Sequence, residues 1–256
     1  MISTKHKFIF IHPPKTGGNT IHTVLKPYYH ESVRIVSADN RAGKGQGVGI
    51  QMKPPGTIGD LSDYSQINKH WEYDTALRQA EMLLGPSVVD MSSTRLISTI
   101  RNPWARAASW YTWGERIRDF SSQSTVLRFL LWYERNPFGG SARKPCSHWW
   151  SGAEPDYVVR MERFGEDLQG LFKFLDIPAP SSLPKTRVNS SRWRQNFPDD
   201  SNDKPYRELY RLENGQYCEE LIEMIREDHA QDIEFSKKLF ENHKYSPGPV
   251  GISYDF

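Results

Sequence analysis

Apolar residues fall into short clusters divided by glycine and proline, and the first cluster has the clearest shape. Residues 8–11 (Phe-Ile-Phe-Ile) are a continuous β-rich run that meets the Pro13-Pro14 break, then Lys15-Thr16-Gly17-Gly18. Asn19 follows, a residue able to cap a helix carrying Ile21, Val24 and Leu25. The pattern predicts strand, glycine loop, helix. Residues 33–36 predict a short second strand. Between residues 39 and 60, Gly43, Gly45, Gly47, Gly49, Gly56 and Gly59 with Pro54 and Pro55 predict an irregular surface loop, either a cover for a pocket or a tolerated insertion. Ala76, Leu77, Ala80, Leu83 and Leu84 take helical spacing. Arg95 to Ile100 predict a central strand, and Asn102 and Pro103 suit the cap and first turn of the helix after it. Val126, Phe129, Leu130 and Tyr133 predict a packing helix, residues 136–155 a loop, and residues 157–160 a strand leading to a helix through Leu168, Leu171, Phe172 and Leu175. Tyr217, Leu221, Met224, Ile225, Ile233 and Phe235 predict a last structural helix covering the sheet, with a less ordered tail from Ser246.

Strands alternating with helices predict an α/β fold with a central parallel sheet flanked by helices. A chain of 256 residues with no repeat is expected to make one domain, 1–256. Composition narrows the function. Hydrophobic residues at 37% describe a globular chain, and no apolar run approaches the roughly 20 residues that span a bilayer. The first strand starts almost at once, so no signal peptide and a cytoplasmic location are expected. A net charge of +2 is too small for a dedicated polyanion binder, so any anion must be recognised locally. Cys146 and Cys218 are expected as free thiols, and no His-Glu-x-x-His or Cys-x-x-Cys spacing supports a metal site.

The loop after the first strand supplies local recognition. Two glycines at the start of a helix let backbone N–H groups converge on an anionic oxygen, Lys15 adds a charge, and Thr16 and Thr20 add hydroxyls. The stretch reads as a phosphate or sulfate cradle, against the plainer reading of an ordinary strand-to-helix turn. In the nucleotide triphosphatase loop the lysine follows the glycines; here it precedes them. The stretch resembles the 5′-phosphosulfate loop of sulfotransferases, in particular the carbohydrate sulfotransferase branch called family two, with its Pro-Lys-Thr-Gly-Gly-Thr; Asn19 stands where that branch has Thr. Arg101-Asn102-Pro103-Trp104-Ala105-Arg106-Ala107-Ala108-Ser109-Trp110-Tyr111 resembles the same family's 3′-phosphate motif, with Ala105 replacing the usual Asp. Lys69-His70 before a helix ending in Leu84-Gly85 is similar to its Lys-His segment. Weaker likenesses occur at Arg160-Met161-Glu162, at residues 183–192 and around residues 228–235.

The resemblance implies a P-loop-like sulfotransferase fold and an enzyme using 3′-phosphoadenosine 5′-phosphosulfate (PAPS), with adenosine 3′,5′-bisphosphate as product and no metal. Cofactor binding falls to Pro14, Lys15, Thr16, Gly17, Gly18, Asn19, Thr20, Arg101 and Ser109. Catalysis falls to Lys15 and His70, with His70, of ordinary pKa about 6.5, taking the acceptor's hydroxyl proton, and Glu72 or His148 in reserve. The acceptor implied is a glycan or glycolipid. Trp149 and Trp150 are placed to stack on a sugar or to pack in the core, and Arg143 and Lys144 to meet an anionic acceptor. Two other readings stay open: a P-loop kinase or nucleotide hydrolase, and a nucleotide-binding relative without catalysis.

Overall fold

In the computed structural model the run at residues 8–10 becomes a strand because all three side chains are covered, none more than 1% exposed. A run buried on both faces suits an inner position in a parallel sheet. The structure describes residues 2–29, 33–38, 47–52, 65–67, 70–84, 90, 93–114, 125–135, 140–181, 205–241 and 256. In chain order the elements are β1 (Ile2–Ser3), β2 (Phe8–Phe10), α1 (Gly18–Leu25), β3 (Val33–Ala38), β4 (Gly47–Met52), β5 (Ser65–Ile67), α2 (Tyr73–Leu84), β6 (Arg95–Ile100), α3 (Pro103–Gly114), α4 (Thr125–Glu134), β7 (Tyr157–Arg160), α5 (Phe164–Phe174), α6 (Glu219–Asp228) and α7 (Ala230–Glu241), with 3₁₀ turns at Lys26–Tyr28, Cys146–Trp150, Met161–Arg163 and Pro205–Tyr210. Contacts group the chain into two compact units. The first comprises Met1–Ile100, Ser147–Lys185 and Tyr245–Gly248; the second comprises Arg101–Cys146, Thr186–Lys244 and Pro249–Phe256.

The first unit is the mixed α/β part. Its main sheet has the order β1-β2-β6-β7 among the described residues. β2 pairs in parallel with β6, Ile9 opposite Leu96, and β6 in parallel with β7, Ser98 opposite Val158; β1 closes the edge antiparallel. The sheet is open, mostly parallel and flanked by helices, as the alternation of elements predicts. α5 is held to β7 by a buried pair: Arg160 Nε and Nη2 donate to the two Asp167 oxygens at 2.7 Å each, and the Arg160 main-chain N–H adds a third bond at 2.8 Å. Arg160 thus organises the fold.

The glycine-rich stretch departs from expectation. Residues 47–52 are a strand, paired antiparallel with β3 from Ala38 opposite Gly47 to Val33 opposite Met52, and with β5 on the other side. Glycine and proline density masks the Val-x-Ile-x-Met alternation that a strand uses. The flanking residues 39–46 and 53–60 lie outside the described residues, as do 183–192 and the tail 246–255.

In the second unit α3 is buried almost all round. Tyr111 stacks on Phe129 of α4 with centroids 4.4 Å apart, and Trp104 Nε1 donates to the Ile222 carbonyl of α6 at 3.1 Å. The expected last helix is two, α6 and α7, divided at His229, whose backbone leaves helical geometry (φ −113°, ψ 19°). Among the described residues no helix is long and apolar enough to cross a membrane.

Because Asp167 has no exposure, Asp167→Ala strands a buried arginine and should cost about 3–5 kcal/mol, read as a lower midpoint in chemical denaturation.

Candidate functional site

The end of β2 extends its ladder by one bond, Ile11 N–H to the Ile97 carbonyl at 2.8 Å, before Pro13 and Pro14 turn the chain. The loop is then fastened from beneath. Thr16 has no exposure; its hydroxyl donates to the Pro13 carbonyl at 2.6 Å and lies 2.5 Å from the Thr99 hydroxyl of β6. Its hydroxyl therefore anchors the loop. Lys15 (φ 67°) and Gly17 (φ 76°) are both left-handed, on either side of Thr16. Alternating backbone hand is the geometry that turns successive N–H groups toward one point, an anion-binding nest.

The helix cap is Gly17, not Asn19: α1 starts at Gly18, and Asn19 is an exposed residue of its first turn. Asn19 lies two residues past the cap, inside the helix and beyond the capping position. Backbone hand calls for glycine at 17 and packing calls for it at 18. A Cβ on Gly17 would lie 2.1 Å from Met161 Sδ, and one on Gly18 would lie 2.1 Å from the His12 ring. The Thr20 N–H is used within the turn, donating to the Gly17 carbonyl at 3.0 Å. Lys15, Gly17 and Thr20 are half-exposed, whereas Pro14 and Gly18 are buried.

His70 comes to this loop. Its Nδ1 is 2.9 Å from the His12 carbonyl and its ring centroid 4.5 Å from the His12 ring. A carbonyl only accepts, so Nδ1 carries the proton and neutral His70 has its lone pair on Nε2, the form a proton acceptor needs. Trp149 Nε1 donates to the His70 carbonyl at 3.1 Å, fixing the backbone beneath it. Glu72 and His148 meet each other at 2.9 Å, both partly exposed. Trp149 and Trp150 are each 4% exposed, and Trp150 Nε1 donates to Ser98 at 2.7 Å. Both indoles are core, so the sugar-stacking expectation is withdrawn.

Arg101 and Ser109 belong to the second unit. Asn102 caps α3 as expected, its Oδ1 accepting from the Ala105 N–H at 3.1 Å. From 101 to 110 every residue is buried except Arg101 and Ser109. Arg106, fully buried, donates from Nη1 to the Lys144 carbonyl at 2.6 Å, and so shapes the turn that ends at Cys146. The Cys146 N–H donates to Asp232 at 2.6 Å. Arg143 makes two bonds to Asp228, at 2.6 and 3.0 Å, a structural pair that ties its charge to α6. Burial, reinforced by the Arg106 charge, outweighs the Asp232 contact and holds His229 below its ordinary pKa. Burial alone would raise Asp232, but His229 3.7 Å away, Arg106 and the Cys146 N–H keep it lowered. Burial pushes the Cys146 thiol up, and both cysteines are free.

Sequence reasoning passed over His12, Thr99 and Met161, which shape the loop. Only His12 carried a signal, a polar residue directly continuing a fully apolar run. No family model, curated protein or solved structure matches this chain.

Two outcomes follow from these contacts. Thr16→Val leaves buried partners unsatisfied and should lower stability by about 1–3 kcal/mol in denaturant titration. In the second unit the unfolded chain binds the proton that folded His229 refuses. Stability should therefore hold above about pH 6.5 and fall below it, at up to about 1.4 kcal/mol per pH unit. His229→Gln should flatten that slope.

Proposed function

We propose that this chain is a sulfotransferase that uses PAPS, and that its acceptor presents a hydroxyl, on a glycan or glycolipid. The observation that carries the reading is the burial pattern of the second motif. Between residues 101 and 110 only Arg101 and Ser109, the two positions that the 3′-phosphate pattern assigns to ligand, are not buried, and Thr112 and Trp113 continue the accessible face of the helix. The left-handed pair Lys15 and Gly17 fits the second requirement, a nest for a phosphate.

PAPS when bound supplies an activated sulfuryl group whose departure leaves charge on the 5′-phosphate. Lys15 and the N–H groups of Thr16 to Asn19 would hold that phosphate and balance its charge. Arg101 would grip the 3′-phosphate through its guanidinium fork, with Ser109 donating beside it. His70 Nε2 would accept the hydroxyl proton of the acceptor, while the carbonyl of His12 steadies the resulting imidazolium through Nδ1. The fold this reading carries is the P-loop-like sulfotransferase fold.

Adenosine 3′,5′-bisphosphate without metal, at about a hundred times its dissociation constant, should stabilise the protein by about 2.7 kcal/mol in a thermal-shift titration. Stabilisation by ATP with Mg²⁺ alone would contradict the proposal and favour a kinase. Arg101→Ala removes charge-assisted bonds of about 1.5–3 kcal/mol and should weaken the bisphosphate about 10- to 100-fold while sparing adenosine 5′-phosphate. His70→Asn should leave both affinities unchanged.

A further inference from the structure

The geometry points to His12 as a positioning residue that couples the start of α1 to the imidazole of His70. His12 is 4% exposed and closes the apolar run of β2. Its ring is held on several sides. Toward the loop it lies so close to Gly18 that a Cβ there would sit 2.1 Å from Cδ2, 2.3 Å from Cγ and 2.4 Å from Nε2. Toward the core it faces His22 edge-on at 5.2 Å and stacks on Phe10 at 6.1 Å with the planes 10° apart. His22 in turn is fixed, its Nδ1 2.9 Å from the Tyr29 hydroxyl. Toward the candidate base it meets the His70 ring at 4.5 Å.

His12 therefore touches His70 twice, by its ring and by the carbonyl that accepts from Nδ1. The carbonyl selects the tautomer and the ring limits where the imidazole can swing. A rigid ring wedged between Gly18 and His70 transmits displacement, because packed interiors yield little. Movement of the first turn of α1 then reaches His70 through the His12 ring. Under the functional reading above, on which the importance of His70 rests, the residue beneath the anion loop also holds the proton acceptor in register. The coupling itself needs no ligand, so it is tested separately from that reading.

The test is nitrogen-15 NMR of the histidine rings in the whole protein. Wild type should show His70 as the Nδ1–H tautomer, with nuclear Overhauser contacts from the His12 ring to both Gly18 Hα and the His70 ring. Gly18→Ala, which presses on His12 from the far side, and His12→Ala, which removes the wedge, should each turn His70 toward a mixture of tautomers. Lys26→Ala, at the exposed far end of α1, should leave the His70 signature in place. His12→Phe, which keeps a ring, should restore it. An unchanged His70 signature in Gly18→Ala and His12→Ala overturns the proposal. Should those variants not fold, absence of the wild-type Overhauser contacts overturns it by itself. Failure to bind adenosine 3′,5′-bisphosphate would count against the sulfotransferase reading and leave this coupling standing.

Discussion

The parallel pairing of β2 with β6 is the constraint on which the rest depends. It sets Ile11 against Ile97 and, one turn of chain later, Thr16 against Thr99. Both strands therefore end at the same side of the sheet, where an open α/β sheet leaves room for a ligand. From the end of β2 the chain enters the glycine loop; from the end of β6 it passes through Arg101 into α3.

Within each unit the protein commits buried polar groups to holding backbone. Thr16 holds Pro13, Ser98 holds Ile11, Trp149 holds His70, and Arg106 holds Lys144. Each bond fixes a segment that would otherwise be a loose connection, and each satisfies a group that would be costly to bury alone. In the glycine loop and at the start of α3, Lys15, Asn19, Thr20, Arg101 and Ser109 keep partly or fully exposed side chains.

Where the sequence was legible, the signal was local. The Pro-Pro break, the glycine pair and the Asn-Pro start of α3 act through backbone preferences of a few residues, so strand, loop and helix could be placed from them. Tertiary partners carry no such mark. Thr16 and Thr20 looked equivalent as donors until Thr99 claimed the first. Trp149 and Trp150 looked available for stacking until Ser98 and the His70 carbonyl accepted their N–H groups. Glycines at 47 and 49 hid β4, because residues that break strands in isolation are tolerated once two neighbours pair on either side. The break at His229 depends on Asp228, reaching Arg143, and Asp232, reaching Cys146, distant segments that no helical period reveals.

The most direct measurement is a crystal structure of the protein with adenosine 3′,5′-bisphosphate. The account predicts the 5′-phosphate on the N–H groups of Thr16 to Asn19 with Lys15 beside it, and the 3′-phosphate on the Arg101 guanidinium and the Ser109 hydroxyl. A nucleotide seated elsewhere, or held at the loop with its 3′-phosphate away from Arg101 and Ser109, would contradict it.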